Sequence, residues 1–479
     1  MMSFVIVLTL LANSLVAIGD EDGHVRLVET EQGSGHDFKE TFLSFGVHGN
    51  AIIDMVFTDD DGRIATSSGD QTSRVVDMTT QTTISVLSNH TASLKQVRFQ
   101  PGANNNNILA TSSRDGTVQI WDLRCNSGDH PEAQFQQRIK TASTCYNTGS
   151  INGAHRPTHH ARQAQKLVSN DTPSRDEQPG RVGEVSVTAL SFLAPGQEHF
   201  LLTGSEADAS IKLWDIRSLQ NRRKVSCPIS YTRQPQSHSQ FRHFGINAIT
   251  LSTDGNKIYS LCKDNSIYAY STSHLILGHA PELSSTQSLR ALPQRPIQEG
   301  LGPIYGFRHP QLHVNSFYVK LALRLARNGN SELLAVGSSD SCAIVFPTDE
   351  RYLPPTSPVP ALNPESSNIP TLSSSHTRHR PGFKRTGSNF SMSRLEDPIP
   401  ISQHGTPLIR GHDREVGALT WTANGDLVTL GDDFLVRCWR EDGEEARDLR
   451  TGGEGEGRRW ACGWADVGEA WDGDEDDEG

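Results

Sequence analysis

Acids, imidazoles and thiols are plentiful in this chain, with 56 Asp and Glu, 19 His and 7 Cys. Their spacing decides whether they do chemistry or hold structure. No HExxH, GxSxG or Walker-type glycine loop occurs, so no motif sets a nucleophile against a base or cradles a phosphate. The GGEGEG stretch at 452–457 has glycines but lacks the preceding strand and following helix of a phosphate loop. The cysteines (Cys125, Cys145, Cys227, Cys262, Cys342, Cys438 and Cys462) are odd in number and show no CxxC pair. That argues against a zinc site or disulfide framework and for a reducing compartment. The chain therefore reads as non-catalytic, with no cofactor and no metal.

One spacing does recur. Asp115 precedes Trp121 by six residues, and the same offset joins Asp22 to Val28, Asp70 to Val76, Asp208 to Trp214, Asp264 to Tyr270, Asp340 to Phe346 and Asp433 to Trp439. Each large or branched apolar residue ends a stretch that alternates with the period of a β-strand. Before each Asp lies an apolar, small-residue stretch, as in ILATSSRD and LLAVGSSD. The unit is strand, tight turn, strand, with the Asp in the turn. Upstream stand His48, His90, His279 and His412. A buried His and Asp need hydrogen-bond partners, and a WD repeat supplies them as a His–Asp–Trp set that ties neighbouring strands. These histidines read as structural rather than catalytic or metal-binding.

Seven units at one offset imply an all-β fold, a seven-bladed WD-repeat β-propeller over residues 1–440, followed by a Gly-rich acidic tail at 441–479. A blade takes roughly 40–45 residues. The steps between turn aspartates are 48, 45, 93, 56, 76 and 93, so the long steps hold insertions, expected at about 126–183, 281–312 and 348–406. These are polar and rich in Ser, Pro or Gln, too poor in apolar residues to bury a core. Residues 156–180 and 350–405 are expected to lack stable structure. Ser357 and Thr406, each before a proline, are candidates for proline-directed phosphorylation, and 378–385 is a candidate nuclear-targeting stretch. Of the net charge of −12, −11 falls in 441–479, where it reads as solvating. The rest is near neutral and lacks a basic footprint, so no direct nucleic-acid binding is expected. The apolar run at 4–8 is too short to span a bilayer and lacks the basic start of a signal peptide. It reads as a strand, and no membrane association is expected. Propellers usually close by pairing an N-terminal strand with the last blade, a role for which residues 4–10 are the candidate.

Two units end alike, in Trp121-Asp122-Leu123-Arg124 and Trp214-Asp215-Ile216-Arg217. An arginine after WD can be an ordinary surface residue. Its rigid fork also holds its charge and makes several hydrogen bonds at an interface. The pattern resembles the WDxR box of substrate receptors for cullin-RING ubiquitin ligases. EDGHVRLVET (21–30), GDQTSRVVD (69–77), SRDGTVQIWDLRC (113–125), INGAH (151–155), IKLWDIR (211–217), DNSIYAY (264–270) and NSFYVK (315–320) occur in this order, and together they resemble the denticleless-type receptors of the cullin-four ligases. The resemblance implies that Arg124 and Arg217, with Asp122, Asp215, Trp121 and Trp214, form one rim that binds the damaged-DNA-binding adaptor of the ligase. It also implies a nuclear, non-catalytic receptor whose substrates are replication and cell-cycle regulators bound to PCNA on chromatin. Val76 departs from the family, which carries Trp there. The family's long N-terminal lead is short here, and a brief Gly/acidic tail stands in place of the long C-terminal extension of animal members. The competing expectation is a nuclear WD-repeat scaffold, for example in chromatin assembly, that meets no ligase.

Overall fold

The ILATSS stretch makes a strand because both of its faces are covered. Leu109 packs toward the preceding repeat and Ala110 toward the following one, both fully buried, which is why the stretch reads as apolar rather than alternating. The same holds around the ring. The computed structural model describes residues 4–9, 15–30, 41–102, 106–129, 143–152, 154–155, 185–220, 227–240, 243–277, 298–327, 329–353, 399–408, 411–441 and 463–464. They form a seven-bladed β-propeller.

Blade 1 contains β1 (Phe4–Thr9), β2 (Leu15–Asp20), β3 (His24–Glu29) and β4 (Thr41–Gly46). Blade 2 contains β5 (Ile52–Phe57), β6 (Arg63–Ser68), β7 (Ser73–Asp77) and β8 (Thr82–Leu87). Blade 3 has β9 (Leu94–Phe99), β10 (Ile108–Ser113), β11 (Val118–Asp129) and β12 (Ser143–Ile151). Blade 4 has β13 (Val187–Phe192), β14 (Phe200–Ser205), β15 (Lys212–Asp215) and β16 (Ser230–Tyr231), with β20 (Gln298–Glu299) beyond them. Blade 5 is β17 (Ile246–Leu251), β18 (Lys257–Cys262), β19 (Ser266–Ser271) and β21 (Tyr305–Phe307), with β25 (Ile401–Ser402) outside. Blade 6 is β22 (Leu321–Arg324), β23 (Leu333–Gly337), β24 (Ala343–Pro347) and β26 (Thr406–Leu408). Blade 7 is β27 (Val416–Trp421), β28 (Leu427–Gly431), β29 (Val436–Glu441) and β30 (Gly463–Trp464). The two α-helices among the described residues are short, α1 (Gln236–Gln240) and α2 (Thr272–Leu277).

Hydrophobic clusters occupy every seam, from Ala17, Ile52 and Ile64 between blades 1 and 2 to Val416, Leu419 and Trp439 between blades 6 and 7. Polar side chains pin neighbouring inner strands as well. Asp54 accepts from Val97 N at 2.9 Å, Gln96 from Leu190 N at 2.6 Å, and Asn247 Nδ2 donates to Ser316 O at 2.7 Å. Each such bond satisfies a buried group that would otherwise be costly.

Closure differs from the expectation of an N-terminal strand paired into the last blade. β1 is the innermost strand of its own blade, antiparallel to β2 and beside β27. The last seam is sealed by side chains, Val16 and Ile18 against Ala418, Val428 and Leu430.

The insertions also contribute more than their composition suggests. β12 and β21 are the fourth strands of their blades yet fall in stretches read as inserts, and β26 begins at the last residue of the third. Parts of these stretches pair in parallel with outer edges, as β12 with β8, β20 with β16 and β25 with β21. Covering an edge removes a template for unwanted pairing. Thr406 sits in β26 and is 4% exposed, so the folded blade shields it from a kinase. Ser357, the stretch 378–385 and, more widely, residues 156–184 and 354–398 lie outside the described residues. No helix among the described residues is long and apolar enough to cross a membrane.

Candidate partner-binding site

The repeat's polar residues fall into two sets, one inside the blade and one on its rim. Inside blade 3, Trp121 Nε1 donates to Thr111 Oγ1 at 2.8 Å. Thr111 Oγ1 lies 2.8 Å from His90 Nε2, and His90 Nδ1 lies 3.2 Å from Asp115. A neutral imidazole with its proton on Nδ1 satisfies every member in one direction, from indole to hydroxyl to imidazole to carboxylate. Blade 7 repeats this with Trp439, Thr429, His412 and Asp433. Blade 2 keeps His48, Thr66 and Asp70, but Val76 has no N–H to add.

Burial by itself would raise the aspartate pKa values. The neighbouring His48 and His90 reverse this and hold Asp70 and Asp115 at about 2. Burial pushes His155 and His412 below the ordinary imidazole value, so they sit neutral against ionised acids.

All seven expected aspartates lie in the connection between a blade's second and third strands, though not all do the same work. In blade 1 Asp22 is exposed, and Asp20 is the buried acid. Asp20 accepts from the amides of Asp22 and His24 and from Arg26. Blade 4 recruits His155, whose Nε2 is 2.9 Å from Thr203, the acceptor of Trp214 Nε1. Asp208 lies 3.6 Å from that histidine. Blade 6 uses His313 with Asp340 at 2.8 Å, in a surface pair. Blade 5 replaces imidazole by phenol, with Tyr268 donating to Asp264 at 2.6 Å. His279 lies outside the described residues.

The threonine at the centre of the set has its own signal in the sequence, since ATSSGD, ATSSRD and VTLGDD each carry it four residues before the turn Asp. Burial pushes the Cys342 and Cys438 thiols up to about 12, which leaves them protonated and poor nucleophiles. Among the described residues no three His, Cys, Asp or Glu side chains gather as a metal site.

The rim set points outward. Arg124 Nε and Nη2 donate to Asp122 Oδ1 and Oδ2 at 2.8 and 2.6 Å, and the Arg124 amide donates to Oδ1 at 3.0 Å. Arg217 and Asp215 repeat the arrangement at 3.0, 2.9 and 3.0 Å. The clamped guanidiniums are 66% and 64% exposed. The hydrogen bond from Arg124 lowers the Asp122 pKa. For Asp215, burial pulls upward and the bonds from Arg217 outweigh it. Blades 3 and 4 are adjacent, and β12 packs on the turn that carries Arg217, with Ile151 and Leu219 in one cluster. The WDxR resemblance places Trp121 and Trp214 with these residues. Each is 1% exposed, beneath the surface and bonded inward, so they position the clamp and cannot touch a partner.

Seven blades, inter-blade cores and the indole–hydroxyl–imidazole–carboxylate chain define a WD-repeat β-propeller. The model of the WD domain, G-beta repeat, matches residues 81–122 and 405–440. The chain is 26% identical over 437 residues to the cell division cycle protein cdt2 of Schizosaccharomyces pombe, covering 89% of this chain and 66% of that protein. It is 27% identical over 343 residues to the denticleless protein homolog of Homo sapiens, covering 71% and 40%. Identity to the Danio rerio homolog is 28% over 428 residues, covering 89% and 49%. The chain thus spans from two fifths to two thirds of the length of these relatives. It is similar to denticleless-type WD-repeat proteins.

Proposed function

We propose that this chain is the non-catalytic substrate receptor of a cullin-RING ubiquitin ligase, docked through Arg124 and Arg217 to the damaged-DNA-binding adaptor of the cullin-four enzyme. In this reading it works in the nucleus and presents replication and cell-cycle regulators bound to PCNA on chromatin for ubiquitination. The observation that carries the reading is the repetition of one Asp–Arg clamp on two neighbouring blades. An arginine already held by a carboxylate has less rotamer freedom to lose on binding. Its planar fork suits a protein surface that offers oxygens in fixed positions. The receptor contributes proximity, raising the effective concentration of substrate lysines at the enzyme.

The test is co-purification of the adaptor and cullin with the full chain and with the Arg124→Ala, Arg217→Ala double variant. Loss of both partners, with substrates accumulating in S phase, is the expected outcome. Full retention of the adaptor by the folded double variant removes the central contact. Partners that do not include a ligase, recovered equally with both forms, make the chain a scaffold instead.

A further inference from the structure

The Asp–Arg clamp occurs a third time, where the sequence shows no WD box. Blade 6 leaves β24 through Phe346-Pro347-Thr348-Asp349-Glu350-Arg351. Asp349 caps a 3-10 turn at Glu350–Tyr352 by accepting the Arg351 amide at 2.9 Å, and Arg351 Nε donates to its other carboxylate oxygen at 2.8 Å. Blade 4 is built the same way, with Asp215 accepting the Arg217 amide at the start of the 3-10 turn Ile216–Gln220. In both, the arginine is the second residue of the turn. Arg351 is 79% exposed, more than either WD-box arginine.

Two features make this more than a stray surface pair. The third strands of antiparallel blades all run in one direction around a propeller, so the turns after β15 and β24 open onto the same rim, toward which the Asp122–Arg124 segment of β11 follows Trp121 as Asp215–Arg217 follows Trp214. The turn is also anchored from the neighbouring blade, because Lys257 of β18 donates to Glu350 at 2.8 Å. Other blades cap the same connection without an arginine. Asp77 accepts the amides of Thr79 and Thr80 after β7, and Ser271 accepts the His274 amide after β19.

We infer that Arg351 is a third contact for the partner engaged by Arg124 and Arg217, a carboxylate-bearing protein surface that spans blades 3 to 6 on one rim. The inference rests on the adaptor reading above and extends it by two blades. A guanidinium carries five N–H donors in a fixed fork, and the 79% exposure of the Arg351 side chain puts that fork within reach of a partner.

The experiment titrates the purified adaptor against the full chain and three variants: Arg351→Ala, Arg351→Lys, and the Arg124→Ala, Arg217→Ala double. Arg351→Ala is expected to weaken binding about tenfold, as a moderate interface contact does, with the melting temperature unchanged. Arg351→Lys keeps the charge and loses the fork, so it should bind nearly as weakly as the alanine variant. If lysine restores full affinity, general charge suffices and the clamped contact is overturned. If Arg351→Ala binds like the parent while the double variant loses binding, the adaptor reading stands and the third contact is wrong. If the double variant also binds fully, the adaptor reading fails and takes this inference with it.

Discussion

Within blade 3 two aspartates hold two bases, one pair sealed and the other open. Asp115 and His90 have side-chain exposures of 6% and 0%, while Asp122 and Arg124 have 17% and 66%. The sealed pair belongs to a chain of four groups with no route to water, so removing any member strands a buried donor or acceptor. The open pair can exchange its bonds for water at little cost. The same repeat therefore separates its tasks by depth. Asp115 stands before the third strand and holds the blade, and Asp122 stands within that strand, just past Trp121, and holds an arginine out to solvent.

The largest effect should follow from emptying the sealed side. Trp121→Ala removes a fully buried ring between blades 2 and 3 and should cost about 3–5 kcal/mol, read as a large drop in denaturation midpoint. A loss under about 1 kcal/mol would mean that the blade collapses around the gap.

Thr111→Val is subtler, since it preserves shape but leaves the Trp121 N–H and the His90 Nε2 without their shared hydroxyl. About 1–3 kcal/mol should go. The same change at Thr66 should cost less, because Val76 supplies no N–H there. Equal losses at the two sites would show that the indole bond adds nothing.

Acid separates the two sides further. Asp70 and Asp115 are held at about 2 in the native state against 3.8 unfolded, so the native state binds fewer protons than the unfolded chain, and their stabilisation is lost as pH falls from about 4 toward 2. His155 and His412 act in a higher window. Burial lowers both below 6.5, so the unfolded chain takes up protons first and stability declines once pH drops below about 6.5. A melting temperature that rises between pH 7 and 5 would contradict neutral buried imidazoles. The rim should not respond in that range, because Asp122 and Asp215 are held below their ordinary value and arginine keeps its proton.

The smallest expected change in stability comes from Asp122→Ala, within about 0.5 kcal/mol. Releasing Arg124 should still weaken adaptor binding about threefold, through the restored rotamer freedom. A melting temperature that falls with affinity would place Asp122 on the structural side.

The blade count was legible because the turn acid and the apolar residue six positions on keep one register through all seven repeats. The upstream histidine was harder to assign, since chain can be inserted between it and the turn. His155 lies 53 residues before Asp208, while His48 lies 22 before Asp70. The fourth strands of blades 4, 5 and 6 were hidden for another reason. Ser230–Tyr231, Tyr305–Phe307 and Thr406–Leu408 have two or three residues each, too few to show a period. Burial of Trp121 and Trp214 beside exposed Asp–Arg pairs is a matter of depth, which a motif read as one string does not express. The clamp at Arg351 carries neither tryptophan nor WD, and in sequence it shares only the Asp-x-Arg spacing with the other two, too common a pattern to single out.

The most direct test of this division is one paired measurement on the purified full chain and the Arg124→Ala, Arg217→Ala variant: the dissociation constant for the adaptor and the melting temperature, taken on the same preparations. The account predicts affinity lower by on the order of 30-fold or more, with the melting temperature unchanged. Undiminished affinity in the double variant, or a loss of affinity that appears only together with a fall in melting temperature, would contradict it.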